Sequence, residues 1–379
     1  MKIATILGAR PQFIKAGPIS EAIRSHNRTV NQNDERIEEV VIHTGQHYDR
    51  EMSAVFFETL CLAPPKYNLG AGSGTHGKQI ARMLEELEKV LELETPDFVM
   101  VYGDTNSTLA GALIADRLQI PIAHVEAGLR SFNRRMPEEC NRVVADHLAT
   151  LLFAPTRTAL ENLAHEGITD GVYLVGDVMY EASMAQSKRA EEQSTILRKL
   201  NLVPLQYSLA TVHRAENTDN AARLGCIVEG LLDVSRSQTL IWPVHPRARK
   251  QLPAALADEL ADNGLVLTEP LSYHDMLALE KSARVVLTDS GGVQKEAFWF
   301  GVPCVTLRDE TEWVETVAAG RNELAGCDPV RIRALFESAL RKPRAEFRHE
   351  GNEVAPSISV IKHLCGFAAR RHGEVEYAT

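Results

Sequence analysis

Short apolar runs rich in β-branched residues recur along the chain, each followed by a stretch with helical spacing. In the first half they fall at Lys2–Leu7, Glu39–His43, Phe98–Tyr102, Pro121–Val125 and Leu151–Ala154. In the second half they fall at Val172–Val175, Tyr207–Val212, Leu240–Val244, Leu265–Thr268, Arg284–Leu287 and Pro303–Leu307. Strands that alternate with helices build βαβ units and parallel sheets. Several runs are apolar at successive positions, which suits strands covered on both faces. The expected class is therefore α/β: two Rossmann-like lobes facing a cleft. The pattern breaks at His165-Glu166-Gly167 and Thr169-Asp170-Gly171. This places the expected divide between residues 1–168, rejoined by 360–379, and residues 169–359. The segment Asn31–Arg36 reads as a polar loop, and Glu191-Glu192-Gln193-Ser194 as charged surface.

Composition narrows the partners. A chain of 379 residues is too long for one ordinary core and suits two domains. The formal net charge of -10 makes the surface as a whole repel nucleic acid and anionic membrane, so neither is an expected partner. A polyanionic ligand would have to be held by local cations and backbone amides. No apolar run approaches the roughly 20 residues of a membrane span, and Met1–Leu7 reads as a strand with no cleavage-type tail. The six cysteines, Cys61, Cys140, Cys226, Cys304, Cys327 and Cys365, include no CxxC pair, and no HExxH-like spacing occurs. A disulfide framework, a structural zinc site and a catalytic metal are not expected. The expectation is a reduced, cytoplasmic protein.

Ligands of open parallel sheets bind beyond the carboxyl ends of the strands, so the residues after each run carry the information. The first run ends in Gly8-Ala9-Arg10-Pro11-Gln12, with Lys15 one turn further. This is not a GxGxxG fingerprint, which argues against a tightly held dinucleotide. Two cations near a helix start suit a phosphate or carboxylate, although a plain strand-to-helix turn would look the same. Asp104 and Glu126 each follow a buried-looking run, and Glu138-Glu139 sit among Arg130, Arg134, Arg135 and Arg142, whose charge would keep acids ionised. His213 closes the run Tyr207–Val212, a place where a histidine serves either chemistry or a local hydrogen bond. His47, His124, His147 and His245 are read as no more than binding residues. Ser290-Gly291-Gly292 opens a helix that carries Glu296 in its second turn. The glycines would let a diphosphate reach exposed amides at the positive end of the helix dipole, and Glu296 could accept two ribose hydroxyls. A serine N-cap beside a tight turn is the simpler alternative.

Taken together and in order, these motifs resemble those of non-hydrolysing UDP-N-acetylglucosamine 2-epimerases. The resemblance rests on Gly8–Gln12 with Lys15, Gly103-Asp104-Thr105-Asn106-Ser107 and His124-Val125-Glu126-Ala127-Gly128-Leu129-Arg130. It continues through Pro137-Glu138-Glu139 with Asn141-Arg142, His213-Arg214-Ala215-Glu216-Asn217 and Asp289–Glu296. It implies a fold of the glycosyltransferase-B type, a homodimer, and no redox cofactor. It also implies that Arg10, Lys15, Arg142, Ser290, Gly291, Gly292 and Glu296 bind the UDP-sugar, with Leu271 and Met276 flanking the uracil. Asp104, Glu126, Glu138 and His213 would surround the sugar as catalytic groups. The short, basic segment Ser131–Met136, and Trp313 where well-known members tend to place arginine, are similar to a sister group. That group acts on UDP-2,3-diacetamido-2,3-dideoxyglucuronate. The stretch Gly70–Gly77 lacks the basic residue with which allosterically activated members hold a second UDP-sugar.

Overall fold

The computed structural model describes residues 1–30, 35–46, 62–252, 264–345 and 354–376. His47, Cys61 and most of the polar loop at 31–36 lie outside the described residues. The chain forms two compact units, residues 1–182 with 350–379 and residues 183–349.

The first unit holds seven strands: β1 (Lys2–Leu7), β2 (Glu38–His43), β3 (Tyr67–Asn68), β4 (Phe98–Tyr102), β5 (Ile122–Val125), β6 (Leu151–Ala154) and β7 (Val172–Leu174). Their order is β3-β2-β1-β4-β5-β6-β7, and every pairing is parallel. Phe-Val-Met-Val-Tyr of β4 is buried at all five positions, as a strand covered on both faces requires. The second unit holds β8 (Ser208–Thr211), β9 (Leu240–Pro243), β10 (Leu265–Thr268), β11 (Val286–Thr288), β12 (Cys304–Thr306) and β13 (Asn322–Leu324). Their order is β10-β9-β8-β11-β12-β13, again parallel throughout.

Helices cover both sheets by amphipathic spacing. The helix Ala221–Ser235 is capped by Asn220, whose side chain accepts from the amides of Ala222 and Arg223. It buries Leu224, Ile227, Val228, Leu231 and Val234 against Trp242 of β9 and Phe336. That spacing is one helical stripe, and truncating fully buried Leu231 to Ala would cost about 2–5 kcal/mol.

The first unit extends beyond the divide expected at 168–169. β7 pairs with β6 through Leu152–Val172 to Ala154–Leu174, so residues 172–174 belong to the first sheet. The sequence break at Gly167–Gly171 is a turn within that unit. The chain also returns to it at residue 350 rather than 360. Its last helix, Pro356–Glu376, packs on the helix Arg10–Thr29 and lays His363 on Tyr173, ring centroids 3.8 Å apart.

In each sheet the strand order reverses beside its first strand, between β1 and β4 and between β8 and β11. Loops that leave the carboxyl ends at such a reversal have room to hold a ligand. In the first unit these are Gly8–Arg10 and Gly103–Asn106; in the second, His213–Asn217 and Asp289–Gly292. A depression of about 460 Å³ lined by Met1, Lys2, Arg36 and Asp97 lies at the opposite, amino-terminal ends of the strands and holds none of these residues.

Candidate active site

In the first unit, the turn after β1 is tied to β4 by one buried side chain. Gln12 Oε1 accepts from the amides of Gly8 (2.8 Å) and Ala9 (3.0 Å), while its Nε2 donates to the Tyr102 carbonyl. Arg10 opens the helix Arg10–Thr29, and Lys15, buried on that helix, pairs with the Glu126 carboxylate. Glu126 itself has φ +73, the left-handed region, although it is not glycine. A non-glycine residue held there costs about 1–3 kcal/mol, and such strain gathers at functional sites. Gly103, with φ +60, lies beneath the pair: a Cβ there would sit 3.0 Å from Glu126 Oε2 and 3.1 Å from Lys15 Nζ.

Asp104 follows Gly103 and pairs with Arg142, whose other nitrogen donates to Glu139 at 3.0 Å. Glu139 is buried and accepts from the amides of Ser131 (2.9 Å) and Phe132 (2.8 Å), so it folds the basic segment rather than facing outward. Glu138 is only partly buried, and its carboxylate takes no hydrogen bond or ion pair among the described residues. It lies four residues before Arg142, on the same helix face. Lys15, Asp104, Glu126 and Arg142 thus meet around the turn after β4, with Glu138 beside them. Lys15 and Arg142, expected as substrate binders, are placed as the countercharges of the two acids.

In the second unit the hub is Asp289, fully buried at the end of β11. It accepts from the amides of His213 (3.0 Å) and Arg214 (3.0 Å) and from Asn217 Nδ2 (3.0 Å). His213 Nδ1 also lies 3.1 Å from Asp289 Oδ1, which leaves the far nitrogen of a 41% exposed ring without a partner among the described residues. Burial pushes the Asp289 carboxyl up, but His213, Asn217 and the Arg214 amide outweigh it and hold the group below the usual carboxylate range. Ser290 caps the helix Gly291–Trp299 through the Val293 amide. Gly291 leaves space for the Glu312 carboxylate, which a Cβ would meet at 2.7 Å, whereas the side-chain position at Gly292 is open. Glu312 in turn pairs with Arg308 (2.9 Å) and Arg214 (3.4 Å). Glu296 is buried, and its Oε1 accepts from Ser183 (3.0 Å) and Tyr273 (2.8 Å). Burial, then the Glu296 charge, push the Tyr273 phenol far up, so it stays a donor. Leu271 and Met276 are half-buried in the cluster that also holds Val293. Among the described residues, no three metal-type side chains gather.

Sequence reasoning missed Asp146, Glu312 and Lys295. Lys295 is buried with its ammonium 3.8 Å from the Trp313 ring centroid. Asp146 gave a weak signal: Glu138, Arg142 and Asp146 recur every four residues, which reads as a solvated helix stripe. Here Arg142 and Asp146 are both buried.

A family model described as UDP-N-acetylglucosamine 2-epimerase matches residues 29–356. A UDP-N-acetylglucosamine 2-epimerase of Methanocaldococcus jannaschii is 47% identical over 91% of this chain and 93% of its own length. A UDP-2,3-diacetamido-2,3-dideoxy-D-glucuronate 2-epimerase of Pseudomonas aeruginosa is also 47% identical, over 90% of this chain and 93% of its own. Among solved structures, the M. jannaschii epimerase in complex with UDP-GlcNAc and UDP superposes with TM-score 0.87 at 45% identity, covering 96% of this chain and 99% of that one.

Proposed function

The chain belongs to the UDP-N-acetylglucosamine 2-epimerase family, and from that premise we propose that it interconverts UDP-N-acetylglucosamine and UDP-N-acetylmannosamine. The observation that carries this reading is the alternating set Lys15–Glu126 and Arg142–Asp104 around the turn after β4, with Glu126 in a strained backbone.

The chemistry explains why such a set is needed. The hydrogen on C2 of the sugar has no adjacent carbonyl, so direct deprotonation is very hard. Cleavage of the C1–O bond to UDP leads, and the positive charge that grows on the ring is stabilised by carboxylates. One carboxylate of Asp104, Glu126 and Glu138 then takes the C2 proton, giving a 2-acetamidoglucal and free UDP in the site. UDP re-adds at C1, and a second group returns a proton to C2 on the opposite face. Atoms and charges balance with no oxidant, so the route needs no redox cofactor. Removal of a proton from one face of C2 and return of a proton to the other require at least two positioned groups.

The same proposal gives the departing diphosphate to Arg10, His213 and the helix tip at Ser290, Gly291 and Gly292, with Lys15 adding positive charge. It places the uracil beside Leu271 and Met276 and the ribose near Glu296. It further takes the protein to be a cytoplasmic homodimer that serves polysaccharide biosynthesis. Among the described residues, no helix is long and apolar enough to cross a membrane. Incubation with UDP-N-acetylglucosamine, followed by proton NMR, should yield a mixture of the gluco and manno nucleotide sugars. Free UDP accumulating in step with free sugar would instead mark hydrolysis and overturn the reading.

A second substrate is favoured by one feature. Arg134 and Arg135 are the exposed cations of the segment Ser131–Met136, and their guanidinium groups pair with nothing among the described residues. They could meet a substrate carboxylate, as in UDP-2,3-diacetamido-2,3-dideoxyglucuronate. Side-by-side turnover of the two UDP-sugars decides: preference for the uronate, lost in Arg134→Ala/Arg135→Ala, supports this reading.

A further inference from the structure

Behind the acid cluster of the first unit lies a second, fully buried layer that the proposed chemistry does not use. Its centre is Asp146, on the helix Pro137–Leu148 and 1% exposed. One carboxylate oxygen faces His124 Nδ1 at 2.7 Å. The other accepts from the Gly128 amide at 3.1 Å and from Arg130 at 2.6 Å. The three partners lead to different parts of the site. His124 Nε2 lies 2.8 Å from the carbonyl oxygen of Gly103, the residue before Asp104 and beneath the Lys15–Glu126 pair. Gly128 closes the turn that holds Glu126 at positive φ. Arg130 begins the segment that runs to Glu138, and it is clamped from outside by both oxygens of Glu166, at 2.7 and 2.8 Å.

The two ring nitrogens of His124 face two acceptor oxygens, so the ring bridges the Asp146 carboxylate to the Gly103 carbonyl. Burial pushes the Asp146 carboxyl up, but His124 and Arg130 outweigh it and keep it ionised.

We infer that Asp146, acting through His124, is a positioning residue that fixes the turns carrying Asp104 and Glu126 relative to each other. The inference rests on the epimerase reading, since it assumes that those two acids do the chemistry. Neither Asp146 nor His124 would touch the sugar. Their effect is on geometry, and a misplacement of about 1 Å at reacting groups can cost on the order of 10²-fold in rate. Because the diphosphate-binding groups of the second unit are untouched, ground-state binding of UDP should not change.

The test uses the full chain with Asp146→Asn, His124→Gln, His124→Ala and the Asp146→Asn/His124→Gln double variant. Turnover, KM, UDP affinity by calorimetry and thermal unfolding are measured for each. The expected result is a fall in kcat on the order of 10²-fold for Asp146→Asn, with KM and UDP affinity unchanged within about threefold. His124→Gln should keep more activity than His124→Ala, because the glutamine amide can still donate to the Gly103 carbonyl. The double variant should be no worse than Asp146→Asn alone, as expected for residues acting as a unit. Wild-type kcat in a folded Asp146→Asn protein overturns the inference, as does a loss that rises and falls only with thermal stability. If Asp146→Asn does not fold, the contrast between His124→Gln and His124→Ala decides, and equal activities count against it. Glu126→Gln separates the two layers of argument. If it turns over like wild type, the site reading fails; if it is inactive while Asp146→Asn is normal, only the positioning inference fails.

Discussion

Replacing Asp289 by Asn changes one oxygen for an amino group and leaves the shape nearly intact, which makes it a sharp probe of the second unit. Oδ2 now receives the His213 and Arg214 amides and Asn217 Nδ2, while Oδ1 faces His213 Nδ1. An asparagine can serve the three donors only by turning its NH2 toward His213 Nδ1. The imidazole must then present a lone pair there and move its hydrogen to Nε2. Losing one charge-assisted bond costs about 1.5–3 kcal/mol. Because the tautomer change satisfies the contact again, the loss should stay below the roughly 3–5 kcal/mol of an uncompensated buried charge. A figure of about 2–3 kcal/mol lowers the unfolding midpoint of the second unit by about 4–12 °C.

The catalytic effect should be larger. With the tautomer reversed, Nε2 always carries a hydrogen, so His213 can no longer accept a proton or tune its charge beside the departing diphosphate. A fall in kcat of about 10²–10⁴-fold is expected. The acid limb of stability changes too. A carboxyl held below its ordinary value of about 3.9 stabilises the fold above that pH and loses the contribution as pH falls through its native value. Stopped-assay kinetics and calorimetric scans between pH 3 and 8 measure both quantities. A folded Asp289→Asn enzyme with kcat within about threefold of wild type, alongside an inactive His213→Asn, would show that Asp289 does not set the His213 tautomer.

Gly103→Ala forces a Cβ into a left-handed turn and against the Lys15–Glu126 pair. It should cost about 1–2 kcal/mol of backbone strain and reduce kcat; unaltered turnover would show that the pair is not tied to this turn. Glu39 is raised above the ordinary carboxylate value chiefly by burial, against lowering by Ser20, Thr5 and Arg24. Its ionised form is therefore disfavoured in the fold, so stability should be lost as pH rises above the unfolded value of about 4.3. Glu39→Gln should be the more stable protein at pH 8 and lose that advantage near pH 4, as urea titrations at both values would report. Ser290→Ala removes the cap on the helix Gly291–Trp299 and should cost about 0.5–1 kcal/mol. It should raise KM more than it lowers kcat; the reverse pattern would speak against ground-state binding at this helix tip.

The strands were legible because a run covered on both faces is largely apolar: β4 and β6 are apolar throughout, and in β1 the one buried polar residue, Thr5, is satisfied by Glu39. The strands that escaped were β3, only two residues long, and β13, whose Asn-Glu-Leu carries two polar residues. Asn322 is buried yet polar because it is satisfied by Thr306, Gln294 and Thr316, partners that sequence distance hides. The divide near residue 168 misled for a related reason. Gly167 and Gly171 mark a turn, but a turn does not say whether the next strand joins the same sheet.

Site residues at strand ends stood out for the same reason as the strands: a polar residue directly after a buried run is conspicuous. Asp104, Glu126, His213 and Ser290 were found in this way. Asp146 and Glu312 were not, because each lies inside a helix or loop of mixed polarity and gains meaning only from partners brought by folding. Each unit has a buried aspartate that holds a histidine and the backbone after a strand: Asp146 faces His124 and accepts from the Gly128 amide after β5, and Asp289 faces His213 and accepts from the His213 and Arg214 amides after β8.

In the proposed reaction C2 exchanges its proton only while UDP is detached from C1. Turnover of UDP-N-acetylglucosamine in D2O, followed by NMR and mass spectrometry, reports this order of events. Deuterium is expected at C2 of the manno product and of recovered gluco substrate, with an 18O label scrambling out of the C1–O–P bridge at a comparable or faster rate. Inversion at C2 with retention of the original hydrogen, or with the bridge oxygen never released, would rule out the elimination route.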